Sequence, residues 1–95
     1  MIEVSIRRDG ISVSGHSGYA AQGSDIVCAG VTALTQTLIK SVVCLTADRI
    51  EYKISPGRAD IKYGNLSEKS RTLVDSFFIG ISMIADEFPD YVRII

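Results

Sequence analysis

The stretch from Asp25 to Leu45 leaves the chain few folds to choose from. Val27, Val31, Leu34, Leu38, Val42 and Leu45 recur at spacings of three and four, which is the period of a helix with one apolar stripe. Ser24 and Asp25, just ahead, are residue types that cap a helix start. A second stripe, Leu73, Phe77, Ile81, Ile84 and Phe88, opens after Asn65 and Ser67 and stops before Pro89, because the residue preceding a proline avoids the helical region. Elsewhere the period falls to two: Ile2, Val4 and Ile6, then Ile11 and Val13, then Ile50, Tyr52 and Ile54, then Ala59, Ile61 and Tyr63. Asp9-Gly10, a pair suited to positive φ, and Pro56-Gly57 join these runs into two hairpins, and Tyr91 to Ile95 supply a short last strand. The expected order is ββαββαβ. It describes an α/β (α+β) fold in which an antiparallel or mixed sheet, built from two hairpins plus a C-terminal strand, packs with two long α-helices. Residues 1–95 are enough for one modest core and so for a single domain.

Composition narrows the function classes. A net charge of -1 provides no cluster of Lys and Arg to neutralise phosphates, so nucleic acid is not an expected direct ligand. No apolar run is expected to serve as a membrane span, and the alternating start, Met1 to Arg8, does not resemble a signal peptide. The chain reads as cytoplasmic. Its two cysteines are then free thiols, and with one histidine they make a poor metal set, so neither metal nor cofactor is expected. Both helices carry apolar residues beyond one stripe, among them Ile26, Ile39, Val43, Phe78, Ile79 and Met83. Either the first helix lies between the sheet and the second helix, or a second subunit covers the remainder; a homodimer is the expectation.

Chemistry concentrates between Gly15 and Cys28. Gly15, Gly18 and Gly23 punctuate a loop of about ten residues, long enough to suggest function. It carries the only histidine, His16, and leads into a helix whose first turn holds Cys28. Unpaired N–H groups at a helix start favour a thiolate, and they can also receive the oxyanion of a tetrahedral intermediate. The loop can fold back to bring His16 within reach of Cys28 as its general base. Plain structural roles compete with each of these. Cys28 can be a small apolar filler on a more polar edge of the helix, in line with Thr32 and Thr35. Asp25 can cap the helix or orient His16, and Tyr19 can pack in the core or line a substrate groove. Cys44 lies about four turns further along the helix, too far for a joint role.

Gly15-His16-Ser17-Gly18-Tyr19-Ala20, then Gly23, then Asp25-Ile26-Val27-Cys28-Ala29 and Thr32-Ala33-Leu34 resemble the signature of the ribosomal-processing cysteine protease family called Prp. The likeness extends over the whole chain in length and element order. It implies a cytoplasmic, usually dimeric cysteine endopeptidase that removes a short N-terminal extension from large-subunit ribosomal protein twenty-seven, a step in ribosome assembly. By that resemblance the nucleophile falls on Cys28, the base on His16 and the motif aspartate on Asp25. Gly15, Gly18, Tyr19 and Gly23 fall in a mobile loop that opens for the substrate peptide. The chain departs from the pattern at one position and in one run. Ser17 stands where the family commonly has alanine, and Ala29-Gly30-Val31-Thr32 replaces a run of two alanines and a serine. Both leave nucleophile and base in place and bear on specificity. A non-catalytic ribosome-associated binding module and another thiol acyl-transfer enzyme are the alternative functions.

Overall fold

The computed structural model describes all residues from Met1 to Ile95. The elements are β1 (Ile2–Arg7), β2 (Gly10–Ser14), α1 (Ile26–Leu45), β3 (Glu51–Ser55), β4 (Arg58–Lys62), α2 (Glu68–Glu87) and β5 (Val92–Ile94). The five strands form one mixed sheet in the order β3-β4-β2-β1-β5, parallel only between β1 and β5. The expected ββαββαβ order is therefore the observed one.

Register explains the two layers. Val4 pairs with Val13, Val13 with Ala59 and Ala59 with Ile54, while Ile6, Ile11, Ile61 and Tyr52 form the next such row. Side chains alternate along a strand, so all of these share one face. The opposite face is polar: Arg7 bonds to Ser5 and Ser12, Arg58 pairs with Asp60, and Arg93 pairs with Glu3. Both helices pack on the apolar face. Ile2, Val4, Ile11, Ile61 and Val92 from the sheet meet Val27, Val31, Leu38, Ile39 and Val42 of α1 and Phe77 and Ile81 of α2.

Several expectations are corrected here. The first turn is Arg8-Asp9, not Asp9-Gly10, since Arg7 pairs directly with Gly10 inside the ladder. Gly10 does not have positive φ; a Cβ there would stand 2.5 Å from the Ile61 carbonyl oxygen, so glycine serves the close approach of β4. Val27, Val31, Leu38 and Val42 of the expected α1 stripe are buried, but its bounds differ. Thr35 and Ile39 are buried, whereas Leu45 is 60% exposed at the helix end. Thr35 tolerates burial because its hydroxyl donates to the Val31 carbonyl, 2.7 Å away.

Tyr52 and Ile54 also differ from expectation. They lie on the helix-facing side of β3 yet remain 54% and 48% exposed, because the helices cover the sheet only as far as β4. By length and composition alone α1 is apolar enough to cross a membrane, contrary to the expectation that no segment is. Its apolarity has another use in this fold, since six of its residues, from Val27 to Val42, are buried within the domain. The first helix is not enclosed between sheet and second helix: Ile26, Val43, Leu45, Phe78, Ile79 and Met83 are all exposed.

An acidic clasp joins the helices where they meet. Asp48 follows α1 and accepts from the backbone N–H and hydroxyl of Ser67, the N-cap of α2, and from the hydroxyl of the buried Ser70. Those hydroxyls, Ser67 first, hold the Asp48 carboxyl below its usual range.

Candidate active site

Because β3 is left uncovered, the space between α1 and the β3–β4 hairpin is an open groove of about 870 Å³. Cys28, Ala29, Thr32 and Gln36 line it from α1, and Ile54 to Ala59 line it from the hairpin. Gly15, His16, Gly18, Ala20, Gln22 and Gly23 of the intervening loop also line it. Gly15, Gly18 and Gly23 all have positive φ, between 72° and 97°, as their use in a tight loop requires.

Only one residue of this loop, Ser17, is buried. Its backbone N–H donates to Cys28 Sγ at 3.4 Å, its hydroxyl donates to Asp25 Oδ2, and the same hydroxyl accepts from the Tyr19 N–H at 3.1 Å. The other carboxylate oxygen, Asp25 Oδ1, accepts from the Cys28 N–H at 2.9 Å. Asp25 is thus the N-cap of α1 and at the same time the anchor of the loop. With the Ser17 hydroxyl as the main cause and the Cys28 N–H next, its carboxyl is lowered to about 2. Both oxygens are engaged, and neither bonds to the imidazole; of the two roles open to Asp25, the geometry displays capping.

His16 sits on the hairpin side of the groove. The Gly15 N–H donates to the Gly57 carbonyl at 2.9 Å, and the Met1 ammonium donates to the His16 carbonyl at 2.5 Å, so the backbone is held on both sides of the ring. The imidazole rests against Gly57 in the Pro56-Gly57 turn, where a Cβ would lie 2.7 Å from Nε2. His16 and Cys28 therefore line the same groove from different walls, and no hydrogen bond joins them in this conformation. Tyr19 does not line the groove. It packs edge-on against Phe88 and Tyr91, with ring centroids 5.4 and 5.3 Å away, and ties the loop to the end of α2. Cys44 is exposed near the far end of α1. No group of His, Cys, Asp or Glu side chains is arranged to hold a metal ion.

Residues 1–93 match the model of the family described as cysteine protease Prp. The chain belongs to the cysteine protease Prp family. Two relatives, both named ribosomal processing cysteine protease Prp, match over nearly their full lengths. One from Staphylococcus aureus is 21% identical over 98% of this chain and 94% of its own, and one from Bacillus subtilis is 23% identical over 99% and 96%. Among solved structures, Staphylococcus aureus Prp with a covalently linked product peptide superposes with a TM-score of 0.89 at 18% identity, covering 98% of this chain and 94% of that one. SMU.848 from Streptococcus mutans superposes with a TM-score of 0.84 at 25% identity, covering 99% and 91%.

The loop, the helix start, and His16 and Cys28 as candidates are legible in the sequence, and two features beside them are not. Ser17 was visible only as a departure from the family pattern. A hydrogen bond from its hydroxyl to Asp25 follows no helical or strand period and has no local signal. The Pro56-Gly57 turn was legible as a turn, but nothing in the sequence places it against His16.

Proposed function

We propose that this member of the Prp family is a cytoplasmic endopeptidase that removes the N-terminal extension of large-subunit ribosomal protein twenty-seven, with Cys28 as nucleophile and His16 as general base. The observation that carries this reading is the groove itself: a thiol in the first turn of α1 on one wall and the only imidazole of the chain on the other. Family membership supplies the reaction class. A relative of the same fold, from Staphylococcus aureus, has been crystallised with a substrate peptide. The role of the ribosomal protein rests on the motif resemblance.

The chemistry is acyl transfer. His16 accepts the Cys28 thiol proton as sulfur attacks the scissile carbonyl, and the oxyanion is received by N–H groups at the start of α1 and in the loop. Collapse breaks the C–N bond, and His16 returns the proton to the departing amine. Water, deprotonated by His16, then attacks the thioester, releasing the new carboxylate and restoring the thiol. The Ser17 N–H already donates to Sγ, which suits a sulfur that must carry negative charge. Joining His16 to Cys28 takes a hydrogen bond that this conformation lacks. Loop movement on peptide binding supplies that step, since catalytic hydrogen bonds are often unformed before substrate binds. β3 supports the peptide reading. It is an edge strand whose residues are all exposed, and an extended segment in the groove can add to it by main-chain hydrogen bonds.

The chain is further proposed to act as a homodimer, on the grounds that Ile26, Val43, Leu45, Ile79 and Met83 stand uncovered on its helices. Light scattering that stays at the 10.3 kDa of one chain across a concentration series would refute the dimer.

The deciding experiment incubates wild type and Cys28→Ala with the extended ribosomal protein and reads intact mass. Loss of the extension with wild type only establishes the activity and the nucleophile. With no cleavage by either protein, the proposed substrate fails. Alkylation of Cys28 no faster than that of Cys44 would then favour a non-catalytic binding module, and turnover of acyl thioesters would favour another thiol enzyme.

A further inference from the structure

We infer that Gly57 is a positioning residue for His16, with the bare Cα of the β3–β4 turn serving as the seat of the imidazole; the inference rests on His16 being the base proposed above. Three independent demands meet at this residue. Its φ of 72° lies in the left-handed region, as the second central position of a Pro-Gly turn requires. Its carbonyl accepts the Gly15 N–H at 2.9 Å, which fixes the chain one residue ahead of the histidine. A Cβ at Gly57 would stand 2.7 Å from His16 Nε2, 3.2 Å from Cε1 and 3.4 Å from Cδ2, so one whole edge of the ring lies on the turn.

The first demand alone does not single out glycine, because asparagine also tolerates the left-handed region. The second is met by any backbone. Only the third bears on every side chain, since the obstruction is Cβ itself and the imidazole, the movable end of its side chain, must shift aside to admit one. The β3–β4 hairpin is thereby more than a wall of the groove. It sets where the imidazole stands in the groove that Cys28 lines from the other wall.

Gly57→Asn separates the demands, keeping the turn and adding the Cβ. His16 is the only histidine, so one imidazole Cε1–H resonance reports the ring without ambiguity. In wild type, NMR should give an Overhauser contact between the Gly57 Hα protons and the His16 ring protons. In Gly57→Asn the imidazole resonance should shift while Tm stays within a few degrees. The turnover number should fall by about 10- to 100-fold with KM changed less than about threefold, the scale of loss when a reacting group is displaced by about 1 Å. An absent contact in wild type overturns the inference, as does an unmoved resonance, or a moved resonance with unchanged turnover. The wild-type contact decides the matter should Gly57→Asn not fold. Both NMR readings need no substrate, so failure to find a cleaved peptide counts against the proposed function and not against the seat.

Discussion

Replacing Ser17 with alanine tests how the loop is fastened over Cys28. The hydroxyl makes two hydrogen bonds, donating to Asp25 and accepting from the Tyr19 N–H, and its residue is only 3% exposed. At roughly 0.5 to 1.5 kcal/mol net for each bond, Ser17→Ala should cost about 1 to 3 kcal/mol. A domain of this size loses about 4 to 8 °C of Tm per kcal/mol, so the melting point at neutral pH should fall by roughly 4 to 24 °C. The same change must alter the acid side of the stability curve. In the folded chain the Asp25 carboxyl is lowered from 3.8 to about 2, chiefly by Ser17. In that window the unfolded chain binds the extra proton, so stability rises with pH and is lost as pH drops from about 4 toward 2. Without the hydroxyl the carboxyl returns toward its ordinary value and less remains to be lost. The gap in Tm between wild type and Ser17→Ala should therefore be widest at pH 7 and narrow on acidification to pH 2.5. Thermal melts followed by circular dichroism across that range provide the assay. A fall of less than about 2 °C at pH 7, or a gap that does not change with pH, would show that the Ser17–Asp25 bond does not fasten the loop.

Other substitutions probe the frame. Gly10→Ala places a Cβ 2.5 Å from a backbone oxygen of β4 that cannot move away, and should cost about 1 to 3 kcal/mol in a urea titration. Gly30→Ala has the opposite sign: the only close atom is the mobile Ile84 Cδ1 at 3.3 Å, so up to about 1 kcal/mol of helix propensity should be gained and Tm should rise by a few degrees. Ile81→Ala empties a fully buried position between the layers and should cost about 2 to 5 kcal/mol, measured by the same titration. Asp48→Ala removes the clasp at the start of α2. It should lower Tm at pH 7 and, because the carboxyl is held below its usual range in the folded state, the loss should shrink below pH 4.

Periodicity carried most of the architecture. Both helices, both hairpins and the short last strand follow from spacings of two and of three to four, since each element has one face in a shared core. What escaped was set by neighbours distant in sequence. Tyr52 and Ile54 alternate like buried residues, yet no local pattern tells how far across the sheet the helices reach. The same shortfall of helix opens the groove, so the error in burial and the groove have one cause. Asp9-Gly10 looked like a turn because Gly10 suits positive φ, whereas the glycine answers to the carbonyl of Ile61, a residue in the other hairpin. At the site, His16 and Cys28 were visible as rare reactive types in one segment. Tyr19 was visible too, but the aromatic partners that draw it away from the groove, Phe88 and Tyr91, lie at the other end of the chain.

The strand order has a consequence for how the molecule comes into being. β2 pairs with β1 at once but with β4 only after the whole of α1 has been made, and β1 waits for its second neighbour, β5, until the last residues of the chain. These are long loop closures, whose entropy must be met before contacts repay it. The β3–β4 hairpin against which His16 rests and the helix that holds Cys28 are thus brought face to face only once β4, residues 58–62, has been made. A chain made only as far as α1 has its thiol and its imidazole but no groove between them.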